Sequence, residues 1–316
     1  MTETFRSVAV VGAGAVGSFF GGMLARAGHP VTLIARPAHV QAIEQGGLKL
    51  QMAGATETIR TAASSDIAAV RGADLVLFCV KSTDTASAAR QMAPHLDPQA
   101  LVVSLQNGVD NAPAIAAAVR NAVVPAVVYV ATAMPEPGLV VHHGRGDLVI
   151  GALDRRSNAD EPFMRRLHAL VDFFGSAQVP VRISHDVMAE LWSKLMVNCA
   201  YNAISGIAQA PYGQLVALPE VRALQEAVVR EVVAIAQADG VNLPLDGALE
   251  AMRRIAPAMP GQLSSTAQDM ARGKPSEIDH LNGFVSRRGR DLGIETPANQ
   301  ALHALVKLIE SKRDAR

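Results

Sequence analysis

Val8-Ala9-Val10-Val11-Gly12-Ala13-Gly14-Ala15-Val16-Gly17 decides the fold. Four apolar residues read as a short buried strand, and the glycine pattern follows at once. A helical pattern then runs from Ser18 to about Ala27 and stops at Gly28. A second apolar run, Val31 to Ala35, completes a β-α-β unit. In this setting Gly12 permits the tight turn, Gly14 lets the backbone approach a pyrophosphate, and Gly17 allows helix to pack closely on strand. Free N–H groups and the positive dipole end at the helix start favour phosphates. A lone GxGxxG is weak, but strand before and helix and strand after make this one specific for a dinucleotide. Gly12, Gly14, Ala15, Val16 and Gly17 are therefore the expected cofactor-binding residues.

The end of the second strand bears on which dinucleotide. An NAD site places Asp or Glu roughly 20 residues beyond the glycines, on the ribose 2′-hydroxyl. Here Arg36 holds that place, and the next acid, Glu44, lies well past it. A guanidinium suits a 2′-phosphate and gains little from a bare hydroxyl. The reading is NADP rather than NAD, the plain alternative being an exposed arginine at a strand end.

Around this unit the first half of the chain alternates strand and helix. Ala73 to Val80, Leu101 to Leu105 and Val123 to Ala131 read as strands, with helices around Ala86 to Met92 and Pro113 to Val119. Gly138 to Val141 and Asp147 to Ile150 look like a hairpin closed by Arg145-Gly146. Glu161 to Phe174 has helical spacing, and Val179 to Ile183 is a last short strand. Such alternation implies a mostly parallel sheet covered on both faces. Beyond Ser184 strands disappear and about five helical segments follow. They centre on the 190s, the 220s to 230s, the 240s to 250s, the 270s to 280s and the final stretch. The last of them starts at Thr296-Pro297, with a capping hydroxyl and a first-turn proline. The expected domains are 1–183, α/β, and 184–316, all α.

Length and charge narrow the class. The 316 residues suffice for two domains, and 29 basic residues balance 29 acidic ones. Apart from a short mixed tail (Lys312, Arg313, Arg316) there is no basic block, so neither nucleic acid nor an anionic membrane is an expected partner. Glycine, proline or a charge breaks each long apolar run, so no membrane span is expected. The start of the chain is interrupted by glycine and lacks the basic leader of a secretory signal. Cys79 and Cys199, both in apolar segments, form neither a disulfide framework nor a zinc site alone. A cytoplasmic protein is the expectation.

In the helical half, Lys194, Asn198 and Asn202 stand four residues apart in an otherwise mostly apolar stretch, with Glu190 one turn back. Each four-residue helical step rotates by only about 40°, so they share one stripe. An ammonium and two amides along such a helix need polar partners, because burying unpaired polar groups is costly. The stripe should border a cleft holding something polar. Lys194 is either a proton donor there or a surface lysine paired with Glu190. Asn198 and Asn202 bind a ligand or tie down neighbouring backbone. In the first half, Lys81 and Asn107 follow strand ends, where open α/β sheets bind ligands, though polar residues in loops are also ordinary.

Taken in order, these motifs resemble those of the ketopantoate reductase (2-dehydropantoate 2-reductase) family. Gly-Ala-Gly-Ala-Val-Gly at 12 to 17, Val-Lys-Ser at 80 to 82 and Leu-Gln-Asn-Gly at 105 to 108 carry the first half. Trp-Ser-Lys-Leu-Met-Val-Asn-Cys-Ala-Tyr-Asn at 192 to 202 is the most specific motif. Ser-Ser at 264 to 265 and Ser-Glu-Ile-Asp-His-Leu-Asn-Gly at 276 to 283 follow. The resemblance implies a Rossmann domain followed by an all-α C-terminal domain, with the active site in a cleft between them. It implies NADPH-dependent reduction of 2-dehydropantoate to pantoate on the way to coenzyme A. Lys194 would be the catalytic lysine, with Asn198, Asn202 and Ser265 on the substrate and Glu277 completing the site. Arg36, Lys81 and Asn107 match positions at or beside the cofactor, Asn107 also reaching towards the substrate. The family contains dimers, which makes a homodimer the expectation.

On the residues alone, Ser265 is also read as capping a helix, and Glu277 as a helix N-terminal acid following Pro275. One position departs from the family. Members often carry Pro-Asn-Gly, whose asparagine helps bind the hydroxyl-bearing end of the substrate, where this chain has Pro211-Tyr212-Gly213. Reduction of a different 2-oxo acid is thus the nearest rival reading. A β-hydroxyacid dehydrogenase would carry a segment resembling Asp-Ala-Pro-Val-Ser-Gly-Gly, which this chain lacks. A sensor of NADPH without turnover would have no need of a proton donor at Lys194.

Overall fold

The computed structural model describes residues 5–314, so Arg316 of the basic tail lies outside the described residues. The chain divides into two compact units between Met188 and Ala189.

The first unit runs β1 (Val8–Val11), α1 (Ala15–Arg26), β2 (Val31–Ile34), α2 (Pro37–Gly46), β3 (Leu48–Met52), β4 (Ala55–Ile59) and β5 (Ala62–Ser64). It continues β6 (Leu75–Phe78), α3 (Thr85–Met92), β7 (Leu101–Ser104), α4 (Asn111–Ala116), β8 (Val123–Glu136), β9 (Leu139–Gly151), α5 (Glu161–Ser176) and β10 (Val181–Ser184). Six strands are parallel in the order β5-β2-β1-β6-β7-β8. That is the order of a Rossmann sheet, strands 3-2-1-4-5-6. Strand β9 returns antiparallel beside β8, and its far edge takes both β3 and β10 in parallel. Strands covered on both faces read as continuous apolar runs, and Val8–Val11, Leu75–Phe78 and Leu101–Ser104 are buried throughout. The chain leaves β1 for β2 on one side and later returns for β6 on the other. The β1 and β6 ends therefore flank the switch point at which such sheets bind ligands.

Helix α1 is sheathed on two sides. A Cβ on Gly21 would lie 2.7 Å from Leu33, and one on Gly22 would lie 2.9 Å from Leu48. Its residues from Gly17 to Leu24 are all buried, which fits a helix that is apolar all round.

Two parts of this unit depart from the sequence reading. The hairpin expected to close at Arg145-Gly146 is not there, because Leu139–Gly151 is one strand. The turn lies at Pro137-Gly138, where Gly138 has φ +80° behind a proline, as a type II turn requires. Arg145 (φ 57°) sits instead beside a register shift against β8, so the glycines flanking it mark a bulge. The second departure is the stretch from α2 to β5. Strand β4, Ala-Thr-Glu-Thr-Ile, exposes its first four residues at the sheet edge and carries no apolar alternation to betray it.

The second unit contains most of α6 (Val187–Ala208), then α7 (Tyr212–Leu215), α8 (Pro219–Ala238), α9 (Leu245–Ala258), α10 (Ser265–Ala271), α11 (Asn282–Leu292) and α12 (Pro297–Asp314). No strand occurs among its described residues. The single helix expected over the 270s and 280s is two, α10 and α11. Gly273 (φ 67°) and Pro275 separate them, with a short 3₁₀ turn at Ile278–His280. Helix α12 begins at Pro297, but its N–H groups at Ala298 and Asn299 go to the Glu231 carboxylate, at 2.8 and 2.9 Å. No helix among the described residues is long and apolar enough to cross a membrane.

Candidate active site

The glycine-rich loop is built as a tight turn against the switch point. Ile34 accepts the N–H groups of both Gly12 (3.0 Å) and Ala13 (2.9 Å), which ties the loop to the end of β2. Gly12 has φ +86°, and a Cβ there would lie 2.5 Å from the backbone nitrogen of Val80. On Gly17 it would lie 2.8 Å from the Gly12 oxygen and 2.9 Å from Val10, so helix meets strand at glycine distance. Gly14 differs. A Cβ there would meet only the Gly12 oxygen, at 4.0 Å, so the space before the loop is open. No side chain caps the start of α1 at Ala15 and Val16. An open cradle of backbone at an uncapped helix start suits a pyrophosphate.

Arg36 is exposed two residues beyond Ile34 and is the N-cap of α2, with Pro37 in the first turn. Lys81 is exposed beyond β6, and Asn107 is half-buried beyond β7. Three side chains that the sequence reading passed over knit these two loops together. Gln106 donates to the Val80 oxygen (2.9 Å) and to Thr85 (2.7 Å). Thr85 donates to Asn111 (2.7 Å), and the Asn111 amide reaches Ser82 (3.1 Å) and the Asn107 oxygen (2.5 Å). Buried amides aimed at strand-end carbonyls were the available signal, but Gln and Asn after a strand also suit any loop.

In the second unit, Glu190, Lys194 and Asn198 form a half-buried stripe along α6, while Leu191, Trp192, Leu195, Met196, Cys199 and Ala200 are buried. The rotation of the helix is set from behind. Asn282 donates to the Cys199 oxygen (3.1 Å), Gln225 to the Ala200 oxygen (3.3 Å) and Ser264 to the Asn202 oxygen (3.1 Å). Asn202 is brought to Ser265, its amide 3.4 Å from the Ser265 hydroxyl. The capping role belongs to Ser264, whose oxygen accepts the Ala267 N–H at 3.0 Å, leaving the Ser265 hydroxyl exposed at the first turn of α10. Glu277 does not start an α-helix. It precedes the 3₁₀ turn, with its backbone oxygen accepting from His280 at 2.9 Å.

Tyr212 joins this cluster. It is buried, and its hydroxyl donates to the Asn202 side-chain oxygen Oδ1 at 3.5 Å. Its ring lies against Tyr201, with centroids 4.7 Å apart. Burial, with a smaller contribution from Tyr201, pushes its phenol up to about 12, so it stays a donor at working pH. The Ser-Glu-Ile-Asp-His-Leu-Asn-Gly motif is largely structural. Ser276 binds Glu310, Asp279 binds His303 and Lys307, and a Cβ on Gly283 would lie 2.8 Å from His303. Burial pushes the thiols of Cys79 and Cys199 up, away from the thiolate form that a nucleophile needs.

Comparison with known proteins identifies the family of the chain. Residues 8–155 match the family model for ketopantoate reductase PanE/ApbA, and residues 186–310 match the model for its C-terminal domain. A 2-dehydropantoate 2-reductase of Halobacterium salinarum is 34% identical over 306 residues, covering 96% of this chain and 98% of its own. The crystal structure of a PanE/ApbA family ketopantoate reductase from Ralstonia eutropha JMP134 superposes with a TM-score of 0.88 at 56% identity. It covers 98% of this chain and 99% of its own. D-Mandelate dehydrogenase with NADH and anilino(oxo)acetate shares the fold, with a TM-score of 0.88 over 98% of this chain and 99% of its own, at 23% identity.

Proposed function

This chain belongs to the ketopantoate reductase PanE/ApbA family and is an oxidoreductase, and on that premise we propose that it reduces 2-dehydropantoate to pantoate with NADPH. The observation that carries the proposal is the α6 stripe of Lys194, Asn198 and Asn202, with Ser265 gathered onto Asn202. A bound nicotinamide supplies the hydride for the substrate carbonyl carbon. Lys194 gives a proton to the oxygen that becomes the alcohol. Asn198 and Asn202 orient the substrate, the Ser265 hydroxyl donates to its carboxylate, and Glu277 keeps the lysine placed. Gly12, Gly14, Ala15, Val16 and Gly17 hold the pyrophosphate by backbone, Arg36 the 2′-phosphate, and Lys81 and Asn107 complete the cofactor edge. The domains of this reading are 1–183 and 184–316, and the enzyme is a cytoplasmic homodimer serving coenzyme A synthesis.

A second reading, reduction of another 2-oxo acid, is favoured by Tyr212, whose hydroxyl takes the side-chain oxygen of Asn202. Purified protein given NADPH or NADH with 2-dehydropantoate and a panel of 2-oxo acids decides between them. Efficient turnover of 2-dehydropantoate with NADPH supports the first reading, and activity confined to another acid supports the second. Arg36→Ala should raise the KM for NADPH far more than for NADH; equal effects would remove the phosphate-selecting role of Arg36.

A further inference from the structure

His39 is buried on the first turns of α2, and both of its ring nitrogens are engaged. The Gly138 N–H donates to Nδ1 at 2.8 Å. A backbone N–H can only donate, so Nδ1 carries no proton and Nε2 must carry it. Nε2 lies 3.1 Å from the Ser18 hydroxyl oxygen and therefore donates to it. The Ser18 hydroxyl in turn donates to the Ala13 oxygen at 3.0 Å. Ser18 is fully buried, so no water competes for this chain of donors.

The relay ends at a meaningful place. Ala13 is the residue between Gly12 and Gly14, and its N–H is already held by the Ile34 oxygen. Its carbonyl is held by Ser18, so the loop is fixed from two sides. His39 itself sits one turn into the helix whose N-cap is Arg36, and its N–H bonds the Arg36 oxygen at 2.9 Å. One neutral imidazole thus links the glycine-rich loop, the start of α2 and the β8–β9 turn at Gly138.

We propose that His39 is a positioning residue for the cofactor, fixing the spacing between the glycine-rich loop and Arg36 that an NADP dinucleotide must span. The proposal rests on the reading of these two places as pyrophosphate and 2′-phosphate sites. NADPH uses both, whereas NADH uses the loop alone, so loss of the relay should weaken NADPH more than NADH. A general loss of structure would not discriminate between the two.

The test uses the full-length protein with His39→Leu, Ser18→Ala and the double variant. Dissociation constants for NADPH and NADH come from cofactor fluorescence, and kcat is measured at saturating NADPH. The expected result is a rise of about tenfold in the NADPH constant for His39→Leu, the order set by losing one or two buried hydrogen bonds. The NADH constant should move less than threefold and kcat should stay within about threefold. The double variant should be no worse than His39→Leu, since both changes break one chain. Parallel weakening of both cofactors, or an NADPH constant within twofold of the unsubstituted protein, would overturn the proposal. If His39→Leu does not fold, Ser18→Ala decides by the same criteria, with an NADPH-selective rise of at least threefold expected. Failure of the unsubstituted protein to bind either cofactor would instead overturn the cofactor reading beneath it.

Discussion

Asn282 donates its side-chain amide to the backbone oxygen of Cys199 at 3.1 Å, across 83 residues of sequence. Cys199 follows Asn198 on α6, so this bond helps fix which way Lys194, Asn198 and Asn202 face. The same amide group reaches Asn299 at 2.9 Å, and Asn299 donates in turn to the Glu231 carboxylate that caps α12. Asn282→Ala removes both bonds and takes from the buried Asn299 side-chain oxygen its Asn282 donor, at a cost of about 1–3 kcal/mol. The expected outcome is a lower denaturant midpoint and a several-fold loss of kcat, with NADPH affinity unchanged. A stability loss without any change in kcat would show that the rotation of α6 is set elsewhere.

Lys194→Ala removes the proposed proton donor while leaving the glycine-rich loop untouched. General acid catalysis contributes about 10²–10⁴-fold, and kcat should fall by that order. NADPH binding, followed by fluorescence titration, should persist. Lys194→Arg keeps the charge but not a readily released proton, so it should fall nearly as far. Near-normal turnover in either variant would remove Lys194 from the chemistry.

The first unit was legible because its signals are local. Gly12 and Gly17 each meet a geometric demand visible in the motif itself, and the apolar runs of β1, β6 and β7 declare buried parallel strands. What escaped depends on partners distant in sequence. Strand β4 makes sense only beside β3, and Arg145 only as a bulge against β8. In the site, the four-residue spacing of Lys194, Asn198 and Asn202 was enough to place them on one stripe. The bond from Tyr212 to Asn202, the amides of Gln225 and Asn282 behind α6, and the division of labour between Ser264 and Ser265 were not readable. Each depends on which helices pack together, and single polar residues in a helical domain carry no mark of that.

Two glycines with similar backbones should respond differently to alanine. Gly12 (φ 86°) and Gly28 (φ 90°) both lie in the left-handed region, so each substitution carries backbone strain of about 1 kcal/mol or more. At Gly28 a Cβ meets nothing within 4 Å, whereas at Gly12 it collides with the Val80 backbone at 2.5 Å. Gly28→Ala should show a modest drop in thermal midpoint with normal NADPH binding. Gly12→Ala should lose NADPH binding, because loop and β6 end must move apart. Intact binding in Gly12→Ala would mean the loop does not hold the cofactor.

Acid should weaken the fold through His39. Burial first, and then the Arg36 guanidinium, hold its imidazole below the ordinary 6.5. Its hydrogen-bonded contacts on α1, the glycine-rich loop and the β8–β9 turn, namely Ser18 and Gly138 with Ala13 beyond, carry no titratable group. The folded state therefore binds its proton only at lower pH than the unfolded state does. Between the two pKa values the unfolded chain carries more protons, so stability rises with pH in that window. The contribution is complete above about pH 6.5 and is lost as pH falls through that value towards the folded pKa, at up to about 1.4 kcal/mol per pH unit. His29, also lowered by burial, acts with the same sign. Denaturant midpoints measured from about pH 7.5 to 5 should fall, and more shallowly in His39→Leu. Equal slopes in both proteins would assign the acid sensitivity to other groups.

Tyr212 offers the sharpest test of substrate identity, because its effect on fold and its effect on recognition separate. Its phenol is held protonated by burial and by Tyr201, and it occupies the side-chain oxygen of Asn202, whose amide nitrogen faces Ser265. A substrate hydroxyl approaching Asn202 must compete with that phenol, whereas an apolar substrate end need not. Tyr212→Asn removes the ring and leaves a void against Tyr201, at a stability cost of about 3 kcal/mol, the order seen for large-to-small core changes. That loss is expected whatever the substrate is. Recognition is read from a ratio instead: kcat/KM for 2-dehydropantoate over kcat/KM for 3-methyl-2-oxobutanoate, which differs by the absence of the hydroxymethyl group. If Tyr212 governs access to Asn202, the ratio should rise about tenfold in Tyr212→Asn, the worth of one good hydrogen bond. A ratio unmoved while stability falls would make Tyr212 a packing residue of α7 and leave the selection of substrate to Asn198 and Ser265.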